Sequence, residues 1–214
     1  MSKPRLSVVV PHWPVDEEVN AALEVCLASL PCDCEKIVVV NDGTGFAVNV
    51  NTGLRLASGE YIAVVTNDSR VVEGDVYDLC VAGAVTSPFV LEKPGIDPGG
   101  FHGAFWVAPR RVFDTVGLLD ERFEGAFFED DDYLERLRRA GIPTKQIASV
   151  RVWSRRIGLT MSKLPDKGQG WLAKNERRFE EKWGWVPPPT DPDVTLDYDS
   201  EMNARRGGDN VRAK

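Results

Sequence analysis

Leu6-Ser7-Val8-Val9-Val10, running straight into Pro11-His12-Trp13-Pro14, is the stretch on which the fold turns. A short and nearly continuous apolar run is what a strand buried on both faces of a parallel sheet requires. The pattern then repeats. A helix is expected next, with Asp16, Glu17 and Glu18 in its first turn and Val19, Leu23, Cys26, Leu27 and Leu30 on one stripe. Ile37-Val38-Val39-Val40 forms a second strand and breaks into the polar turn Asn41-Asp42-Gly43-Thr44-Gly45. A helical segment around Asn51 to Ala57 leads to a third strand, Tyr61-Ile62-Ala63-Val64-Val65, which ends in Thr66-Asn67-Asp68-Ser69. The class is therefore α/β, with three parallel strands that place three polar loops at their carboxyl ends. Ligands of open α/β sheets bind beyond those ends, so the candidate segments are Pro11 to Trp13, Asn41 to Gly43 and Asn67 to Ser69.

The remainder is less regular. Leu79 to Thr86 and Phe101 to Val107 read as strands separated by a Pro/Gly-rich loop from Pro88 to Gly100. A helix is expected over Arg110 to Val116 and a last strand over Ile147 to Trp153. Trp171, Leu172, Asn175, Phe179 and Trp183 recur at helical spacing, and Trp171 and Phe179 read as packing groups. Residues 1–186 make one domain on this reading, and 187–214 form a polar, flexible or extended tail.

Phe127-Phe128-Glu129-Asp130-Asp131-Asp132-Tyr133 sets consecutive carboxylates behind two aromatics at the mouth of a helix. Acids favour a helix N-terminus, and Arg138, Arg139 and Gly141 mark the other end. That suffices for Asp131, which shares an outer face with Glu135 and Arg138, and for Asp132, four residues before Arg136 in an expected exposed pair. Asp130 differs. Tyr133, Leu134 and Leu137 follow it at three, four and seven residues, so its carboxylate points along the apolar stripe, as an acid serving a pocket would.

The 214 residues carry a net charge of -7, which argues against nucleic acid as a partner. No apolar run reaches the roughly 20 residues that span a bilayer, and Met1-Ser2-Lys3-Pro4 leads into a strand rather than a signal peptide, so a cytoplasmic protein is expected. On that reading the sequon Asn67-Asp68-Ser69 carries no glycan. Cys26, Cys32, Cys34 and Cys80 do not make a disulfide framework, and Cys26 with Cys32-x-Cys34 falls short of a closed zinc site. There is no Gly-x-Gly-x-x-Gly after the first strand and no Gly-Lys-Ser/Thr loop.

Taken in order, these motifs resemble the inverting glycosyltransferases of family 2, which have the GT-A fold. The likeness runs from about Leu6 to Trp183. It rests on the opening strand with Pro11, Val38-Val39-Val40-Asn41-Asp42-Gly43, Asn51-x-Gly53 with Gly59-Glu60-Tyr61-Ile62, and Val65-Thr66-Asn67-Asp68-Ser69 as a relaxed metal-binding segment. Gly117 to Phe123 and Glu129-Asp130-x-Asp132 with Arg136 and Gly141 complete it. The resemblance implies a single GT-A domain, a Rossmann-like mixed sheet flanked by helices. It implies transfer of a hexosyl or deoxyhexosyl group from a UDP- or dTDP-sugar to the hydroxyl of a glycan, a lipid-linked sugar or a protein. Pro11, His12, Asp42, Asn51 and Asn67 would then contact the nucleotide sugar, and Asp68 would bind Mn²⁺ or Mg²⁺. Asp130 would act as catalytic base with Glu129 and Asp132 in support.

The sequence also departs from the family. Many relatives carry a His after the last strand that completes the metal site, whereas Ala148 to Arg156 contains none. Arg155 or Arg156 is a candidate cationic substitute. Two other readings stand beside transfer: a sugar-nucleotide-binding protein without catalysis, and a nucleotidyltransferase, against which the lack of a Gly-rich, Lys-bearing loop counts.

Overall fold

The computed structural model describes residues 4–41, 43–91, 101–155 and 158–187. Strand β1 (Leu6–His12) is followed by α1 (Glu17–Ser29), β2 (Glu35–Val40), α2 (Phe46–Leu56) and β3 (Tyr61–Val65). Then come β4 (Arg70–Glu73), a 3₁₀ turn (Val76–Leu79), β5 (Val85–Val90), β6 (Phe105–Pro109) and α3 (Arg110–Val116). Helix α4 (Glu129–Arg139), β7 (Thr144–Trp153), α5 (Leu159–Ser162) and α6 (Pro165–Trp183) complete the order.

One sheet of seven strands runs β2-β1-β3-β6-β5-β7-β4. β1 lies parallel to both β2 and β3, with Val9 opposite Ile37 on one side and Val64 on the other. β6 is antiparallel to β3 and to β5, so the sheet is mixed. Side chains alternate across β1, and each face builds its own core. Val8 and Val10 pack with Leu23 and Cys26 of α1 and with Leu30 just past its end, while Val9 packs with Val50 and Leu54 of α2. The expected stripe of α1 is thus the buried one, and Asp16 caps that helix by accepting from the Val19 N–H at 2.9 Å.

The middle of the chain differs from its sequence reading. The stretch expected as a strand from Leu79 begins with a 3₁₀ turn, and the strand itself starts at Val85 and runs through Pro88. Proline lacks the N–H a ladder needs, and the register shifts at Pro88/Phe89. β6 starts four residues later than expected, and β4 was not foreseen because only four residues, mostly exposed, pair with β7. The 92–100 part of the expected loop and the tail from 188 onward lie outside the described residues. No helix among the described residues is long and apolar enough to cross a membrane.

Candidate functional site

The turns after β1, β2 and β3 converge on one cleft. Pro11, His12, Trp13, Asn41, Asn67 and Asp68 line one side of it, joined by Gly125, Ala126, Leu159, Thr160, Met161 and Trp171. Asp68 is the most telling of these, at 5% exposure. Its Oδ2 accepts from the Leu159 N–H at 2.6 Å, and its Oδ1 is buried with no hydrogen-bond partner among the described residues. A buried carboxylate oxygen without a partner is costly unless a ligand completes it.

No group of three or more His, Cys, Asp or Glu side chains among the described residues could hold a metal ion. A divalent Mg²⁺ or Mn²⁺ site bound through substrate phosphates needs only one or two carboxylates, so the orphaned Asp68 oxygen fits such an ion. Arg155, a candidate substitute for a missing ligand, is paired with Glu18 at 3.0 Å, and Arg156 lies outside the described residues.

Around Asp68 the polar side chains are fixed. Asn20 Oδ1 lies 3.0 Å from His12 Nε2, and Asn67 Nδ2 lies 2.9 Å from His12 Nδ1. Nε2 therefore carries the ring proton and Nδ1 accepts from the Asn67 amide. This ties α1, β1 and the turn after β3 together, and it buries the Asn67 sequon. Asp42 lies outside the described residues. Asn51 is not brought to the cleft: it donates to the Leu119 carbonyl and to Glu121, both at 2.9 Å, and accepts from the Leu119 N–H at 2.9 Å. With both ends of its amide committed, Asn51 braces the segment leading to the acidic helix.

That helix starts from a strained entry. Phe127 and Phe128 have φ of 79° and 68°, left-handed values that cost a bulky residue about 1–3 kcal/mol each. Asn175 of α6 holds them there. Its amide donates to the carbonyls of Glu124, Ala126 and Phe127 at 2.8, 2.9 and 3.0 Å and accepts from the Glu124 N–H at 3.2 Å. Phe128 then packs on Phe179 in a small core of its own.

Asp130, half-buried, lies against Gly103, where an added Cβ would fall 2.1 Å from Asp130 Oδ2. The next residue, Ala104, accepts from the Thr66 N–H at 2.9 Å, two residues before Asp68. Asp130 and Asp68 thus share one end of the sheet. Gly103→Ala is expected to push the Asp130 carboxylate aside, as a crystal structure of the variant would show.

Glu129 is buried, and its Oε2 has no hydrogen-bond partner among the described residues. Burial first, then the neighbouring Asp130 charge, push its carboxyl well above the usual range. Folded protein therefore holds this proton where unfolded chain has lost it. The resulting stability is present below the ordinary Glu value of about 4.3 and is lost as pH rises toward the folded value. Glu129→Gln is expected to remove that decline, seen as a flatter unfolding free energy in urea titrations at increasing pH.

Asp132 corrects the sequence reading outright. It is 0% exposed. Arg136 Nε donates to Oδ2 at 2.9 Å as expected, but Oδ1 also takes Trp183 Nε1 at 2.9 Å and Lys182 Nζ at 2.6 Å. Lys182 continues to Asp120 at 2.7 Å, whose carboxyl is held well below its ordinary value by Arg122. Asp132 is thus the buried tie between α4 and α6.

Leu159, Gly125 and Trp171 were not read as site residues. Trp171 has the spacing of a packing group, and only the turn of α6 over Gly125 brings it to the cleft. A wider groove at the opposite end of the sheet, lined by Arg5, Gly59, Glu60, Arg110 and Arg111, contains neither Asp68 nor Asp130. Arg110 is spent there on the carbonyls of Gly59 and Ala57, at 2.8 and 2.7 Å.

Neither a family model nor any curated protein matches the sequence. Solved structures do. A mannosyltransferase from Pyrobaculum calidifontis in complex with GDP-Man and Mn²⁺ superposes with a TM-score of 0.60 over 94% of this chain and 70% of its own, at 16% identity. GalNAc-T7 with UDP, GalNAc and Mn²⁺ gives 0.57 over 71% of this chain and 43% of its own, at 13% identity. The catalytic domain of Drosophila β1,4-galactosyltransferase 7 with xylobiose gives a looser 0.49 over 66% of this chain and 63% of its own, at 16% identity. This chain thus spans less than two thirds of the last two. The sheet order, the flanking helices and the first two of these likenesses together identify the chain as having the GT-A fold.

Proposed function

We propose that this protein is an inverting glycosyltransferase that moves a hexosyl or deoxyhexosyl group from a nucleotide sugar to an acceptor hydroxyl. The observation that carries the reading is the buried oxygen of Asp68, without a partner among the described residues and set in the cleft at the end of the sheet that Asp130 shares. The GDP-Man and Mn²⁺ held by the mannosyltransferase of this fold, and the UDP, GalNAc and Mn²⁺ held by GalNAc-T7, support it.

In this mechanism the acceptor oxygen attacks the anomeric carbon from the face opposite the diphosphate. The new C–O bond forms as the bond to phosphate breaks, the electron pair leaves with the nucleoside diphosphate, and the configuration inverts. Asp130 takes the acceptor proton. Glu129, its carboxyl pushed up by burial and by the Asp130 charge, supports the base from the adjacent position of the helix. Asp68 would hold a Mn²⁺ or Mg²⁺ ion, which when bound offsets the negative charge gathered by the leaving diphosphate. His12 and Asn67, locked to each other, keep the turn that carries Asp68 in place, and Pro11 walls the nucleotide side, for which Asp42 is proposed as the acid that contacts the base or ribose.

A second reading, binding of a sugar nucleotide without transfer, is favoured by Asn67 standing where an acid is usual and by the lone carboxylate at the ion site. Thermal shifts with UDP, dTDP and GDP, each with and without Mn²⁺, test what both readings share. At about a hundred times Kd a nucleotide stabilises by about 2.7 kcal/mol. At least one nucleotide is expected to raise Tm in a Mn²⁺-dependent way, and Asp68→Asn is expected to remove that dependence. No shift with any of the three would overturn the proposal.

A further inference from the structure

Helix α6 brings an indole to the cleft that the mechanism above leaves without a task. Trp171 lies directly on Gly125, whose φ is +68° and where an added Cβ would fall 2.0 Å from the ring. Its neighbour is Trp13, with centroids 6.4 Å apart and ring planes inclined by 38°. Both rings line the cleft and both are half-buried. Lys167 places its ammonium 5.2 Å from the Trp13 centroid, so that ring has a cation close by.

The geometry points to Trp13 and Trp171 as the subsite that receives a pyranose ring of the acceptor, an assignment that rests on the proposed glycosyl transfer. The indole planes are inclined by 38° and do not form the parallel pair that would sandwich a planar base. Placement selects the acceptor's sugar ring over the nucleobase. Gly125, under Trp171, opens the segment that Asn175 clamps and that runs through Phe127 and Phe128 to Asp130, five residues on. An acceptor ring resting on Trp171 is therefore beside the segment that carries the base for its hydroxyl. The same clamp fixes α6 against that segment, so the indole and the carboxylate are held by one rigid unit.

Saturation-transfer NMR on the full chain, with Mn²⁺ and UDP present, tests the assignment using the methyl α- and β-pyranosides of glucose, galactose and mannose as probes. At least one glycoside is expected to receive saturation at its ring protons. Trp171→Ala and Trp13→Ala are each expected to weaken that binding roughly three- to tenfold, and Trp171→Phe to retain most of it. The nucleotide-induced rise in Tm should be unchanged in all three variants, which also shows that they fold. The assignment is overturned if no glycoside responds in the wild type, or if the alanine variants bind it as well as the wild type does. It is equally overturned if those variants lose the nucleotide shift, since the indoles would then belong to the donor. If a glycoside binds at the indoles but no nucleoside diphosphate binds anywhere, the glycosyl-transfer reading fails and the carbohydrate subsite stands.

Discussion

Asp130→Asn is expected to lower kcat by roughly 10²–10⁴-fold while the affinity for the nucleoside diphosphate stays within about twofold. The amide is nearly isosteric with the carboxylate, so the contact with Gly103 and the start of α4 are kept. What it loses is the ability to take a proton. The effect falls on kcat because the acceptor hydroxyl sheds its proton only as the new bond forms, and interactions made only in the transition state raise kcat rather than ground-state affinity. Steady-state release of nucleoside diphosphate, read beside the thermal shift, separates the two quantities. A variant that turned over at the wild-type rate would remove Asp130 from the chemistry, and loss of nucleotide binding in parallel would make it a donor contact instead.

The largest effect on stability is expected from Asp132→Ala. Its carboxylate is buried and meets Arg136, Lys182 and the Trp183 indole N–H at once. Removing one partner of a buried ion pair leaves the others desolvated without a counter-charge, which typically costs about 3–5 kcal/mol. For a domain of this size that is a fall in Tm of roughly 6–20 °C. The effect should extend beyond stability. Lys182 and Trp183 close α6 onto α4, and the same helix supplies Asn175 to the strained Phe127–Phe128 entry. Surviving protein at low temperature is therefore expected to turn over more slowly than its folded fraction allows, with the fraction measured by circular dichroism. A Tm within about a degree of wild type would show that the network contributes little.

The parts of this molecule that follow local rules were legible in the sequence. β1, α1, β2, α2 and β3 alternate with the periods their residues prescribe, and the three turns that end those strands form the cleft. The Arg110–Val116 helix was read to the residue. What was not legible depended on partners distant in sequence. Asp132 and Arg136 have the spacing of a solvated pair, and nothing near them announces that Lys182 and Trp183, about fifty residues on, will bury them. Asn51 is a nucleotide-sugar contact by resemblance alone, and Leu119 and Glu121 take both its ends. Trp171 has the period of a core residue and becomes a cleft residue because Gly125, lacking a side chain, lets its ring descend. Pro88 reads as a loop residue, and a shift in register lets β5 absorb it.

The most direct test of the central claim is where the metal and diphosphate sit. Crystals grown with Mn²⁺ and whichever of UDP, dTDP and GDP gives the largest thermal shift would locate the ion by its anomalous scattering. A peak is expected within roughly 2.0–2.6 Å of Asp68 Oδ1, with the diphosphate in the cleft beside Pro11 and His12. A nucleotide bound instead in the groove of Arg5, Arg110 and Arg111, at the other end of the sheet, would contradict it.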